Sequence, residues 1–122
     1  MALVLVIDDD PLFREIAREV LIGAGHEVVQ AGNGLEAAMI APAPAPRVAV
    51  VDMLMPERDG IETIRDLRGR WPGVKLIAVS AGSRGLEPNL LLRAATAIGA
   101  DAALEKPVDH QALLRLVDQL LD

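Results

Sequence analysis

The stretch VLVIDDDP, residues 4–11, places three consecutive carboxylates directly after four apolar residues. A continuous run of Val, Leu and Ile is typical of a strand that is buried on both faces of a parallel sheet. Asp10 precedes Pro11, so we predict that Asp10 caps the first helix, where Pro is favoured at the first position. Asp8 and Asp9 have no such explanation, and they make the end of this strand a candidate site.

Short apolar runs recur along the chain, and the segments between them have helical periodicity. The predicted strands are Leu3–Ile7, Glu27–Gln30, Val48–Val51, Leu76–Val79 and Ala102–Leu104. The inner face of the first helix is predicted to carry Phe13, Ile16, Ala17, Val20 and Leu21. Apolar strands that alternate with helices predict an α/β, doubly wound fold: a five-stranded parallel sheet with helices on both faces.

The length of 122 residues suits one domain with one core. The repeat APAPAP, residues 41–46, has the composition of a stiff linker. The strand predicted after it is needed to complete the sheet, so we interpret the repeat as a loop. The prediction is a single domain over residues 1–122.

Composition excludes several classes of partner. The net charge of −6 disfavours binding to nucleic acid and to anionic membranes. With one Trp, one Phe and no Tyr, the chain has few aromatic rings that could stack on bases. No apolar run approaches the roughly 20 residues that span a bilayer. The absence of Cys excludes disulfides and thiolate chemistry, and it is compatible with a reducing compartment. We therefore expect a soluble, cytoplasmic protein.

The predicted strands end in polar residues that suit phosphoryl chemistry. The carboxyl ends of parallel strands meet at one edge of the sheet, where ligands bind in this type of fold. Clustered carboxylates repel one another unless a cation neutralises them, and oxygen ligands without His or Cys favour Mg²⁺. A carboxylate nucleophile beside a metal, a hydroxyl and an ammonium is suited to phosphoryl transfer. The residues at these ends are Asp8, Asp9, Asp52, Ser80 and Lys106.

Along nearly its whole length the sequence resembles the receiver domain of two-component response regulators, which has the flavodoxin-like (βα)5 fold. The resemblance rests on the order and spacing of an acidic pair, a phosphoacceptor, a switch hydroxyl with a small neighbour, and a lysine followed by proline. These are Asp8-Asp9, Asp52 within DMLMPERDG, Ser80-Ala81 and Lys106-Pro107.

The resemblance implies a role for each matching residue. Asp9, Asp52 and the backbone carbonyl of Leu54 would bind Mg²⁺, and Asp8 would act through water. Asp52 would accept a phosphoryl group from a histidine kinase or a histidine phosphotransfer protein, with Ser80 and Lys106 drawn toward it. The resemblance also implies that the protein catalyses only its own phosphorylation and dephosphorylation and is otherwise not an enzyme.

The resemblance also implies a readout surface on the fourth helix, the fifth strand and the fifth helix, for a downstream protein or a second copy of the chain. Many receivers have an aromatic residue three positions before the lysine, where this chain has Ala103. Leu54 and Gly82 occupy positions from which a polar side chain would orient an attacking water, so slow hydrolysis of the phosphoaspartate is expected.

Three other interpretations remain. The first is a receiver fold that acts as an adaptor independently of phosphorylation. The second, a nucleotide-binding protein, rests on Gly32-x-Gly34-x-x-Ala37, but one small sheet leaves no room for a second mononucleotide half. The third, a hydrolase with an aspartyl nucleophile, lacks a general acid, because Leu54 stands where one is required.

His26 and His110 are predicted to be surface or turn residues.

Overall fold

Ten elements alternate along the chain in the computed structural model, which describes residues 2–39, 45–53, 60–80 and 88–122, without the side chains of 88–92. They are β1 (Leu3–Ile7), α1 (Pro11–Gly23), β2 (Glu27–Ala31), α2 (Gly34–Met39), β3 (Val48–Asp52), α3 (Gly60–Arg70), β4 (Lys75–Ser80), α4 (Pro88–Ala97), β5 (Ala102–Glu105) and α5 (His110–Leu121). Each predicted strand agrees with the observed one to within one residue at either end. The predicted α/β fold is confirmed.

All five strands are parallel and form one sheet in the order β2-β1-β3-β4-β5. Ile7 of β1 pairs with Val51 of β3, so Asp8 and Asp52 follow at the same level on neighbouring strands. Asp52 in turn pairs with Val79, the residue before Ser80. The register therefore brings these three polar residues to one edge of the sheet.

Alternate residues of the central strands face two separate clusters, which explains why the strands are apolar throughout. Val4 and Val6 of β1 face α1 and α5, whereas Leu5 and Ile7 face the other side, where α2, α3 and α4 contribute residues. The central strands β1 and β3 are almost wholly buried, so their ends are fixed rigidly.

The first helix begins as the sequence predicted. The Asp10 carboxylate accepts a hydrogen bond of 3.0 Å from the backbone N–H of Leu12, and Pro11 is the first helical residue. Phe13, Ala17 and Leu21 form the buried stripe. The placement of Ile16 on the inner face was wrong: it is 39% exposed, because a stripe with a spacing of four residues already fills the contact with the sheet.

His26 was predicted to be a surface or turn residue; it follows the turn after α1, but the surface part of this prediction was wrong. It is only 7% exposed. Its Nδ1 accepts a hydrogen bond of 3.3 Å from the backbone N–H of Ala2, and its Nε2 lies 2.9 Å from Oδ1 of Asp118. The imidazole thus joins the beginning of the sheet to α5, a tertiary contact with no local sequence signal. His110 is partly buried, with its ring centroid 5.4 Å from that of Phe13.

Within the described ranges, no helix has both the length and the apolar character required to cross a membrane.

Candidate functional site

Three carboxylates meet beyond the ends of β1 and β3. One oxygen atom from each of Asp8, Asp9 and Asp52 lies within 4.8 Å of the others. Asp8 and Asp52 are buried and Asp9 is exposed. Two rigid strands thus hold two of the acids, and the third opens the cluster to solvent. The predicted convergence of these residues is observed.

Hydrogen bonds fix the turn between β1 and α1. The backbone N–H of Asp10 donates to Oδ1 of Asp8 over 2.9 Å. The guanidinium of Arg14 donates to the backbone carbonyl of Asp8 over 2.7 Å and to Oε1 of Gln30 over 3.2 Å. Arg14 was not identified from the sequence. Its position in the first turns of a helix that follows an acidic strand end could have indicated a contact with that strand end.

Lys106 brings an ammonium to the same cluster. Its Nζ lies 2.8 Å from Oδ2 of Asp8 and 3.8 Å from Oδ2 of Asp52. The Nζ atom also lies 4.8 Å from the centroid of the Phe13 ring, a cation–π contact. Burial alone would lower the pKa of Lys106, but the contact with Asp8 and the charges of Asp52, Asp8 and Asp10 outweigh it, so the pKa is raised. Lys106 is therefore held as a cation.

Ser80 ends β4 and is fully buried. The backbone N–H of Lys106 donates to the carbonyl of Ser80 over 2.9 Å, and the N–H of Met53 donates to the carbonyl of Val79 over 2.9 Å. These bonds hold the ends of β3, β4 and β5 side by side. The predicted ligand Leu54 lies outside the described residues, as do Ala81 and Gly82.

Gly60 brings the start of α3 against the end of β3. Its backbone N–H donates to the carbonyl of Met53 over 3.3 Å. A Cβ atom at Gly60 would lie 2.5 Å from Cα of Met53 and 2.8 Å from the carbonyl oxygen of Asp52. The strand end that carries Asp52 therefore depends on a close backbone approach that only glycine permits.

The donor set fits Mg²⁺. Oδ2 of Asp8 is buried, and no residue in the part of the chain that the structure describes donates a well-aligned hydrogen bond to it, although the ammonium of Lys106 is at ion-pair distance. Three carboxylates beside one ammonium leave an excess of negative charge, which a divalent cation would offset. Oxygen ligands with one exposed side suit a metal that keeps water or phosphate oxygens in its shell.

Comparison with known proteins agrees with this geometry. The sequence profile of the response regulator receiver domain matches residues 4–118. The chain belongs to this family, the receiver domains of two-component response regulators. Receiver domains are signalling modules that interact with histidine kinases or phosphotransfer proteins and bind Mg²⁺ at an acidic pocket.

Individual relatives support the assignment. An uncharacterized 14.6 kDa protein of Leptolyngbya boryana is 38% identical, with 95% of this chain and 87% of that protein covered. Response regulator MprA of Mycobacterium tuberculosis is 35% identical over 97% of this chain, and the match spans only 50% of MprA. The solved structure of chemotaxis protein CheY4 of Vibrio cholerae has a TM-score of 0.85 at 27% identity, with 98% of both chains covered.

Proposed function

We propose that this chain takes a phosphoryl group from a phosphohistidine onto Asp52 in a Mg²⁺-dependent reaction, with residues 1–122 acting as a single receiver domain. The observation that carries the proposal is a buried carboxylate, Asp52, bracketed by two further acids and by the ammonium of Lys106. In this proposal, catalysis extends only to the chain's own phosphorylation and dephosphorylation.

Asp9, Asp52 and the carbonyl of Leu54 would hold the ion, with Asp8 acting through water. When bound, Mg²⁺ offsets the negative charge on the phosphoryl oxygens. A carboxylate oxygen of Asp52 attacks phosphorus, the P–N bond of the phosphohistidine breaks, and its electron pair leaves with the imidazole. Lys106 then pairs with the new phosphoryl oxygens in place of Asp8, because the acyl phosphate carries more charge than the carboxylate did.

Readout is proposed to run through Ser80 and the segment that follows it. The backbone hydrogen bond from Lys106 to Ser80 couples β4 to β5. A displacement of either strand end would therefore also displace α4 and α5, which follow β4 and β5 in the chain. This is the surface that we propose for a downstream protein or for a second copy of the chain. Ala103 and Arg93 are exposed on it.

A groove of about 410 Å³ beside the site is suited to the phosphodonor. This apolar groove is lined by Asp10, Leu12, Phe13, Ile16, Lys106, Pro107, Val108 and His110. Leu12 is 67% exposed, so the groove presents a large apolar side chain to solvent. Because the groove includes Lys106, a donor helix packed on Leu12 and Ile16 would carry its phosphohistidine to the edge where Asp52 lies.

Beryllofluoride, which activates the DrrB receiver domain in a solved structure with a TM-score of 0.86, provides a test. Amide NMR spectra of the ¹⁵N-labelled protein are recorded with Mg²⁺ alone and with Mg²⁺ plus beryllofluoride, for the wild type and for Asp52→Asn. The proposal predicts shifts around Asp52 and Lys106 that extend to β5 and α5 and are lost in Asp52→Asn. An unchanged spectrum would contradict it.

A phosphorylation-independent adaptor is the second candidate. The observation that favours it concerns Ala103, which is exposed on β5. Its side chain has no aromatic ring that could respond to phosphorylation of Asp52. Shifts confined to the acidic cluster in the same spectra would favour this adaptor. The cytoplasm remains the proposed location in both cases, because the supposed partners are signalling proteins.

A further inference from the structure

A second groove lies at the opposite edge of the sheet from Asp52. It is formed where β3 and β4 begin and where α5 ends, and its volume is about 390 Å³. Lys75 starts β4 and Ser80 ends it, so this groove lies about 16 Å from the acidic site, at about 3.3 Å for each residue. The two grooves have no lining residue in common among the residues that the structure describes.

The charge of this second groove is opposite to that of the chain. The protein carries a net charge of −6, yet Arg47, Arg70 and Lys75 all line the groove. No acidic residue lines it in the part of the chain that the structure describes. We call it the basic groove. A local cluster of cations in an acidic protein is the charge pattern that attracts an anionic partner.

A backbone contact positions Lys75, and side-chain contacts position Arg47 and Arg70. The N–H of Lys75 donates to the carbonyl of Arg47 over 2.9 Å, and Nη2 of Arg47 donates to the carbonyl of Leu121 over 3.3 Å. Arg70 donates to the carbonyl of Ala38 over 2.8 Å. Among the described residues, none of the three pairs with a carboxylate. Their charges are thus available to a carboxylate from outside.

The remaining walls of the basic groove are apolar. Trp71, Leu120 and Leu121 line it, and each is partly exposed. The guanidinium of Arg70 lies 4.5 Å from the centroid of the Trp71 ring. An occupant that satisfies both features carries carboxylates next to a large apolar side chain. The volume is in the range of specific binding pockets and exceeds what a single inorganic anion fills.

We propose that the basic groove binds an acidic segment of a partner protein, in which one large apolar side chain packs on Trp71 between carboxylates that pair with Arg47 and Lys75. Neither Asp52 nor Mg²⁺ takes part, so the binding occurs in the unphosphorylated protein. The proposal is independent of the phosphoryl chemistry at the other edge of the sheet.

Trp71 is the sole tryptophan and the chain has no tyrosine, so intrinsic fluorescence reports on this groove alone. The probe is a synthetic peptide without aromatic residues in which Glu and Asp flank Leu, titrated in low salt. Its matched control replaces every acid by Gln or Asn. We expect a saturable change in Trp71 fluorescence with the acidic peptide and none with its control. The affinity for the acidic peptide should weaken as the salt concentration rises.

Variants complete the test. Arg47→Gln/Lys75→Gln removes two exposed charges from the groove and should weaken binding about ten-fold. Arg18→Gln/Arg115→Gln removes the same charge elsewhere and should leave binding unchanged. Asp52→Ala should bind like the wild type. No saturable response, an equal response to the uncharged peptide or to inorganic phosphate, or equal loss in both charge variants would overturn the proposal.

Discussion

The ammonium nitrogen of Lys106 lies 2.8 Å from Oδ2 of Asp8, a carboxylate that is completely buried at the end of β1. This pair joins the first strand to the segment after the last one, across the width of the site. It gives the acidic cluster a resident counter-ion. The stability and the chemistry of the site therefore both depend on Lys106.

The first prediction concerns alkaline pH. The pKa of Lys106 is raised above its ordinary value of 10.5, since the carboxylates outweigh the effect of burial. A raised folded-state pKa gives a stabilisation that is fully present below the unfolded-state value and is lost as pH rises through the folded-state value. Without Mg²⁺, the free energy of unfolding should therefore fall as the pH rises above about 10.5.

Urea unfolding between pH 8 and pH 12, roughly spanning the lysine range, measures this fall. The chain has no Tyr or Cys, and Lys75 is its one other lysine, so few groups interfere. Lys106→Met should be less stable at pH 8 and should lose most of the alkaline decline, whereas Lys75→Met should retain it. Identical curves for the two variants would refute the role of this ion pair.

A second prediction concerns Mg²⁺. Ligands that bind only the folded state raise its stability, so Mg²⁺ should raise the melting temperature of the wild type. Asp9→Asn removes a proposed ligand and should weaken Mg²⁺ binding on the order of ten-fold or more. Asp10→Asn removes the same charge one residue away and keeps a good helix cap, so the Mg²⁺ effect should persist. Equal loss in both variants would indicate a general charge effect.

A third prediction compares two glycines of α3. Gly60→Ala would place Cβ 2.5 Å from Cα of Met53, so we expect a loss of about 1–3 kcal/mol together with slower phosphorylation. A Cβ atom at Gly69 meets no atom of the described residues within 4 Å, so Gly69→Ala should stabilise the protein by about 0.5–1 kcal/mol. Thermal unfolding of both variants checks the signs, and a neutral Gly60→Ala would contradict the described approach of α3 to β3.

A fourth prediction tests the apolar groove as the donor surface. Leu12→Asn should slow phosphoryl transfer from a phosphorylated histidine phosphotransfer domain about ten-fold, since an exposed apolar contact is removed. Its rate with acetyl phosphate should not change. Ile22→Asn, at an exposed site on the same helix outside the groove, serves as the control. Equal rates for wild type and Leu12→Asn with the protein donor would exclude this surface.

The sequence carried enough information for the sheet and for the main site. Asp8 and Asp52 follow apolar runs that are typical of buried strands, and parallel pairing brings the ends of such strands together. Asp10 and Pro11 specify the helix start locally, which is why that prediction was confirmed.

Features that depend on tertiary packing could not be predicted in the same way. Ile16 fits the helical period but points away from the sheet, because Phe13 and Ala17 already fill the contact. His26 is buried by Ala2 and Asp118, which are distant in sequence. The basic groove likewise gathers residues from three parts of the chain, so no local motif reveals it.

The central claim, phosphorylation of Asp52, is tested most directly by intact-protein mass spectrometry after incubation with acetyl phosphate. We predict a gain of about 80 Da, one phosphoryl group, in the wild type with Mg²⁺. The gain should be absent when Mg²⁺ is chelated and absent in Asp52→Ala. No gain in the wild type, or a gain that persists in Asp52→Ala, would contradict the account.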